Sequence, residues 1–216
     1  YILIGSGVAG IAAVEGIRSQ DRLGPITVIS DDPHGYYSRP GLAYYLRGEV
    51  DEKWLYPFQA GDYRKLEASF TRGLVMRILP DEHQVELDGG SRLDYDRLLI
   101  ACGSQAVRLK IPGAELAGVH KLDHLEDARK LVAGAKRGRA AVVTGGGITA
   151  LELVEGLAAR GMSVHYVLRS ERYWPNVLDE IESQIIAQRL RHDGVQIHFK
   201  SEIQEIEEKL KTKAMS

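Results

Sequence analysis

Gly5, Gly7 and Gly10 give G-x-G-x-x-G within the first ten residues, and Gly145, Gly147 and Ala150 give G-x-G-x-x-A about 140 residues later. This spacing suits one kind of chemistry, the cradling of a pyrophosphate. The first glycine permits a tight turn, the second lets backbone approach the phosphates, and the third lets the following helix pack on its strand. Alanine is tolerated in the third place. The helix N-terminus adds N–H groups and the positive end of its dipole. An acid roughly 20 residues past such a loop can grip a ribose hydroxyl, and Asp31 and Asp32 stand there after the first loop. After the second loop the corresponding place holds Leu168 and Arg169, with Arg172 three residues on. An arginine there can accommodate a 2′-phosphate and points toward NADPH; the alternative is that Arg169 and Arg172 are solvated surface charges. Two such loops read as sites for two dinucleotides, of which FAD with NADH or NADPH is the common pair.

Other chemistry is poorly provided for. Cys102 is the single cysteine, so an internal disulfide framework, a CxxC motif and a four-cysteine zinc site are excluded. It reads as a small buried residue. His120 and His124 are four apart, but no ligand motif completes a set, and His34 and His165 stand apart from them. No metal site is expected. A formal charge of -2 and an ordinary 44% of hydrophobic residues imply neither nucleic acid nor an anionic membrane as partner. No apolar run reaches membrane-spanning length, and residues 1–17 carry Glu15 without a basic leader. A cytoplasmic protein is the simplest expectation. Tyr1 falls inside the first strand and the chain closes on a charged stretch, so both ends are expected to be incomplete.

The elements that must position these residues follow from periodicity. Ile2 to Ile4 and Ile26 to Ile29 read as buried strands around a helix from Val8 to about Ser19, with Ile11, Ala12, Val14 and Ile17 inward. Ala140 to Thr144 and Val164 to Leu168 flank a second helix, Leu151 to Arg160, which Gly161 stops as a left-handed C-terminal residue. Between the two units lie a loop and helix from Tyr36 to Val50, another from Trp54 to Leu66, and strands at 70–71, 75–78, 85–87 and 98–100. Ile111-Pro112-Gly113 marks a boundary. A connecting helix is expected over His124 to Ala135. An amphipathic helix follows over Asp179 to Asp193, with Ile181, Ile185, Ile186 and Leu190 as its apolar residues, and then a strand over Val195 to Phe199. The fold class is α/β: an FAD-binding domain at 1–112 and an incomplete NAD(P)-binding domain at 113–216, both Rossmann-like.

In order and spacing, GSGVAG, DDPHGYYSRPGLAYYLRGEV, YDRLLIACGS and GGGITALE resemble the pyridine nucleotide–disulfide oxidoreductase superfamily. The nearest resemblance within it is to rubredoxin reductases, ferredoxin reductases and the flavin module of nitrite reductase. The resemblance implies three-layer ββα domains and assigns residues to cofactors. Gly5, Gly7, Val8, Ala9 and Gly10 would face the FAD pyrophosphate, and Asp31 or Asp32 its ribose. Arg39 and Pro40 match a Y-x-R-P segment along the flavin, and Val75 a position whose backbone faces the adenine. Ala101, Cys102 and Gly103 match an A-T-G turn over FAD. Gly145, Gly147, Ile148 and Thr149 would hold NAD(P), and Glu152 matches a glutamate near the nicotinamide. The redox cysteines of the thiol-dependent branches are absent, and Ala43-Tyr44 replaces a Ser-Lys pair of the ferredoxin-reductase branch. No Gly-Asp motif follows residue 200, so the C-terminal part of the family fold is expected to lie outside this sequence.

The function so implied is an FAD-dependent oxidoreductase. It takes hydride from NADH or NADPH and passes electrons to rubredoxin, ferredoxin or a nitrite reductase-type module, without a redox disulfide. No side chain is expected to act as nucleophile or base, since the cofactors carry such chemistry. The alternatives are a peroxide-forming NAD(P)H oxidase and a non-catalytic dinucleotide-binding fragment.

Overall fold

The computed structural model describes residues 1–208. Backbone packing divides the chain into two units: Tyr1–Gly41 with Asp51–Gln105, and Leu42–Val50 with the chain from Ala106 onward. These compact units divide after Gln105, with Leu42–Val50 grouped in the second.

In the first unit, β1 (Ile2–Ile4), α1 (Val8–Gln20) and β2 (Thr27–Ser30) make the expected βαβ turn. Strand pairing is parallel, with Ile2 opposite Thr27. The chain then enters α2 (Gly41–Arg47), a 3-10 turn at Glu52–Leu55 and α3 (Ala60–Lys65). β3 (Ser69–Arg72) adds to the sheet beside β2. β4 (Val75–Leu79), β5 (Gln84–Leu87) and β6 (Arg92–Asp94) form a separate antiparallel sheet, and β7 (Leu98–Ile100) returns beside β1. The parallel order is β3-β2-β1-β7.

Period-two alternation places the core on both faces of that sheet. Leu3 and Val28 join Ile11, Val14, Ile26 and Leu66 on the helix side. Ile2 and Ile29 join Val85 and Leu87 on the side of the antiparallel sheet. These are the three layers expected. Ala12, expected inward, is exposed, and Ala13 packs in its place. β7, expected to be fully buried, leaves Leu99 and Ile100 exposed.

The second unit holds α4 (Leu125–Gly134), β8 (Ala140–Thr144), α5 (Ile148–Ala159), β9 (Ser163–Val167), α6 (Glu180–His192) and β10 (Gln196–His198). Its parallel sheet has the order β10-β9-β8. Val143, Val154, Leu157, Val164, Tyr166 and Leu190 make one core on the helix side. The other face carries Val142, 60% exposed, so β8 is not buried on both sides, and no second β layer lies among the described residues of this unit.

α6 starts where expected, at an Asp179–Glu182 capping box. Its buried stripe, however, is Ser183, Ala187 and Leu190, while Ile181 and Ile185 are exposed. The rotation agrees with Ser183, whose inward hydroxyl lies 2.7 Å from both the Tyr173 and the Asp179 carbonyl oxygens and shares its single proton between them.

α2 is held in this unit by size complementarity. Leu46 is fully buried, and a Cβ at Gly156 of α5 would lie 2.6 Å from its Cγ. Arg160 donates to the carbonyls of Leu46 and Tyr45 at the end of α2.

Candidate functional site

The first glycine loop divides its labour visibly. Gly5 has φ +109°, a region that favours glycine, and a Cβ there would sit 2.2 Å from the Ala101 carbonyl oxygen. A Cβ on Gly10 would sit 2.0 Å from the Gly5 oxygen. Both glycines therefore serve close packing of strand, loop and helix. At Gly7, the N-cap of α1, a Cβ would meet nothing within 4 Å. Beside it Val8 is exposed. The free space lies over the first turn of the helix, where backbone N–H groups lack intrahelical partners. This cradle fits a pyrophosphate, and Gly5, Gly7, Val8, Ala9 and Gly10 are brought together around it.

The two candidate acids separate. Asp32 is committed within the fold: it accepts from the His34 N–H at 2.9 Å and from the Tyr37 hydroxyl at 3.0 Å. Asp31 is exposed. Arg39 and Pro40 are exposed, and the Arg39 guanidinium lies 6.0 Å from the Tyr37 ring centre. Tyr36 belongs to an edge-to-face series with Phe58, Tyr63 and Phe70, so it is core rather than a cofactor wall. Val75 is half-buried and pairs with Leu87 in the antiparallel sheet. Ala101 bonds to the Ile4 carbonyl, which places it beside Gly5, and Gly103 has φ +69°. Cys102 is exposed, contrary to the expectation of a buried thiol. The chain leaves the sheet after Ala101, and the residues that follow lie on the surface.

The second loop solves the same problem differently. Gly145 has φ +137°, and Gly147, the N-cap of α5, has open space where a Cβ would be. The third position is Ala150, whose real Cβ would lie 3.1 Å from one built on Gly145. The Gly145 carbonyl instead accepts from the buried Tyr166 hydroxyl at 2.7 Å. Ile148 and Thr149 are exposed beside it. Thr144 pairs with Val167, so Leu168 and Arg169 lie at the same sheet end as this loop.

Glu152, half-buried one turn into α5, has its carboxyl pushed above the usual range by burial and then by Glu155. Tyr173 faces the same acids. Burial and the Glu155 and Glu152 charges push its phenol up to about 12. Its hydroxyl is buried and has no hydrogen-bond partner in the structure.

The two arginines after β9 part company. Arg169 is exposed. Arg172 turns inward and donates to the Leu178 carbonyl, to the Ser183 hydroxyl at 3.4 Å and to the Pro175 carbonyl at 3.3 Å. It is a brace for the 172–178 loop and does not offer its charge to a nucleotide. Replacing Arg172 by leucine strands those acceptors and is expected to cost about 1–3 kcal/mol of stability. A fall in the urea midpoint with unchanged slope checks it.

His165 and His198 are brought together by the pairing of β9 and β10. Their rings stack with centres 5.4 Å apart, and Nδ1 and Nε2 lie 3.1 Å apart. No group of three metal-binding side chains occurs among the described residues.

The family model for "Pyridine nucleotide-disulphide oxidoreductase" matches residues 1–215. The chain belongs to the pyridine nucleotide-disulphide oxidoreductase family. Among curated relatives, it is 29% identical over 96% of its length to an NADH-dependent phenylglyoxylate dehydrogenase subunit epsilon of Aromatoleum evansii, covering 49% of that protein. It is 32% identical over 92% of its length to the ferredoxin–NAD(+) reductase component of a Pseudomonas putida p-cumate 2,3-dioxygenase system, covering 50% of it. It thus spans about half the length of these relatives. The Rhodopseudomonas palustris ferredoxin reductase for the CYP199A2 system superposes with TM-score 0.89 at 25% identity, over 96% of this chain and 52% of that one. An engineered water-forming NADPH oxidase, a variant of the Lactobacillus brevis NADH oxidase, superposes with TM-score 0.86 at 26% identity, over 94% and 47%.

Two residues of this family member's second loop escaped the sequence reading. Tyr166 braces Gly145, and Tyr173 faces Glu152 and Glu155. Each sits among apolar neighbours as core aromatics do, and no motif marks either hydroxyl.

Proposed function

We propose that the chain is the dinucleotide-binding part of an FAD-dependent NAD(P)H oxidoreductase that delivers electrons to a carrier protein of the ferredoxin type, without a dithiol step. The observation that carries this reading is the pair of loops, each with open space at its middle glycine over a helix N-terminus. FAD, when bound, supplies hydride acceptance and stepwise electron release.

The residues of the chain would bind and orient. The α1 cradle takes the FAD pyrophosphate, Asp31 the ribose hydroxyls, and Arg39 a phosphate oxygen, for which its planar fork is suited. In the second unit the α5 cradle takes the nicotinamide dinucleotide pyrophosphate, held in shape by Tyr166. Glu152, whose carboxyl burial and Glu155 push above its ordinary value, stands one turn into α5 beside that cradle. The carrier reading is further supported by the ferredoxin reductase relative and structural neighbour. The exposed Cys102 is the single thiol and stands outside the Y-x-R-P segment.

The test is an anaerobic absorbance spectrum of the purified protein, reconstituted with FAD, before and after NADPH or NADH. Flavin bands that bleach are expected. A folded protein that neither carries nor takes up FAD would sink the proposal for this chain.

A further inference from the structure

We infer that Arg169 makes the second cradle selective for NADPH over NADH, a reading that rests on the proposal that this cradle binds a nicotinamide dinucleotide. The relatives described above are named for NADH or NAD(+), so the inference separates this chain from them.

The strand end that would choose between the two nucleotides has no acid to accept a 2′-hydroxyl. Leu168 occupies that place and is 2% exposed, its side chain in the core. Arg169 follows, with its side chain 81% exposed. Its backbone is not loose. Leu168 donates to the His198 carbonyl at 2.9 Å, Ser201 donates to the Leu168 carbonyl at 3.0 Å, and Lys200 donates to the Ser170 carbonyl at 3.0 Å. These bonds tie residues 168–170 to the segment 198–201 that follows β10, and the Thr144–Val167 pairing sets them at the sheet end that carries the loop. A guanidinium so presented matches a phosphate dianion in charge and fork geometry.

Among the described residues, Arg169 has one ion pair, and that a loose one. Its ion pair is with Glu202 at 3.8 Å, both side chains well exposed. Such a pair contributes little and yields to a phosphate. Glu171, the next acid along the loop, is exposed and paired with Lys200 at 3.4 Å.

An independent pattern agrees. In the engineered NADPH oxidase a glycine became alanine and, eighteen residues on, consecutive aspartate, alanine and methionine became alanine, arginine and serine. This chain has Ala150 and, eighteen residues on, Leu168, Arg169 and Ser170. The fifth change in that oxidase, proline to arginine seven residues past the aspartate, falls by the same spacing on Pro175, which keeps the parent's proline. Three of the five places therefore carry the residue that went with NADPH, and the acid is gone from a fourth.

The test is titration of the full chain with NADP+ and, separately, NAD+, followed by tryptophan fluorescence and calorimetry at low and high salt. NADP+ is expected to bind at least about 10-fold tighter, with the preference shrinking as salt screens the exposed pair. R169L should lower affinity for NADP+ about 10- to 100-fold more than for NAD+. E202Q should raise NADP+ affinity by releasing the arginine. Tighter binding of NAD+, or an R169L protein with the preference intact, overturns the inference and leaves the parent reading standing. Loss of NAD+ affinity in E171Q without loss of NADP+ affinity in R169L assigns the ribose to Glu171 and also overturns it. Binding of neither nucleotide overturns the parent reading and this one with it.

Discussion

Gly5→Ala is expected to destabilise the first unit by about 2–6 kcal/mol and to abolish flavin uptake, whereas Gly7→Ala should abolish uptake at almost no cost in stability. The two glycines sit in one loop, and their surroundings differ completely. At Gly5 the backbone has φ +109°, so a side chain is strained before it meets anything. A Cβ would then sit 2.2 Å from the Ala101 oxygen and 2.7 Å from its carbonyl carbon. Those atoms are backbone at the end of β7, tied to β1 by the Ala101 bond to Ile4, and cannot swing aside as a side chain could. Strain and overpacking each cost roughly 1–3 kcal/mol, and they add. At Gly7 the backbone is extended, with φ -74°, and a Cβ meets nothing. The added methyl would occupy only the space proposed for the phosphates. Denaturant unfolding and the flavin-to-protein absorbance ratio after reconstitution separate the two effects. A Gly7→Ala protein as unstable as Gly5→Ala, or one that still takes up FAD, would remove the cradle argument.

Both βαβ units were legible because glycine spacing, buried strand runs and helix stops agreed at each of them. The left-handed Gly161, with φ +79°, closes α5 as expected. What escaped the sequence depended on partners distant along the chain. Cys102 reads as buried by residue type, yet β7 ends at Ile100, two residues before it, and the thiol is exposed. Arg169 and Arg172 are interchangeable in sequence, but only the 172–178 loop offers carbonyls to a guanidinium, so Arg172 is drawn inward. Ile181 and Ile185 fit a helical apolar stripe, but the buried face of α6 is that of Ser183, whose hydroxyl proton is shared between the Tyr173 and Asp179 carbonyls. His165 and His198 meet only through the register of β9 with β10. Asp31 and Asp32 are alike in sequence, but Asp32 accepts from the His34 N–H and the Tyr37 hydroxyl while Asp31 is exposed.

The placement of Leu42–Val50 in the second unit yields the other large effect. Leu46→Ala should destabilise that unit by about 2–5 kcal/mol, the range for a fully buried leucine whose site cannot collapse. Gly156→Ala should cost about 1–3 kcal/mol by overpacking, since the new Cβ would lie 2.6 Å from Leu46 Cγ and 2.7 Å from Cδ2. Leu46 is fully buried. The double variant removes the atoms that the new methyl would strike, so its cost should fall below the sum by about 0.5–3 kcal/mol. A chain of two units need not unfold in one step, and the tryptophans allow each unit to be followed. Trp54 lies in the first unit and Trp174 packs against the second core. In a Trp54→Phe background, the Trp174 signal should show the lowered midpoint for Leu46→Ala. In a Trp174→Phe background, the Trp54 transition should move less. A shift confined to the Trp54 transition would return α2 to the first unit. Strict additivity of the two substitutions would mean that Leu46 and Gly156 do not share the contact that holds α2 in place.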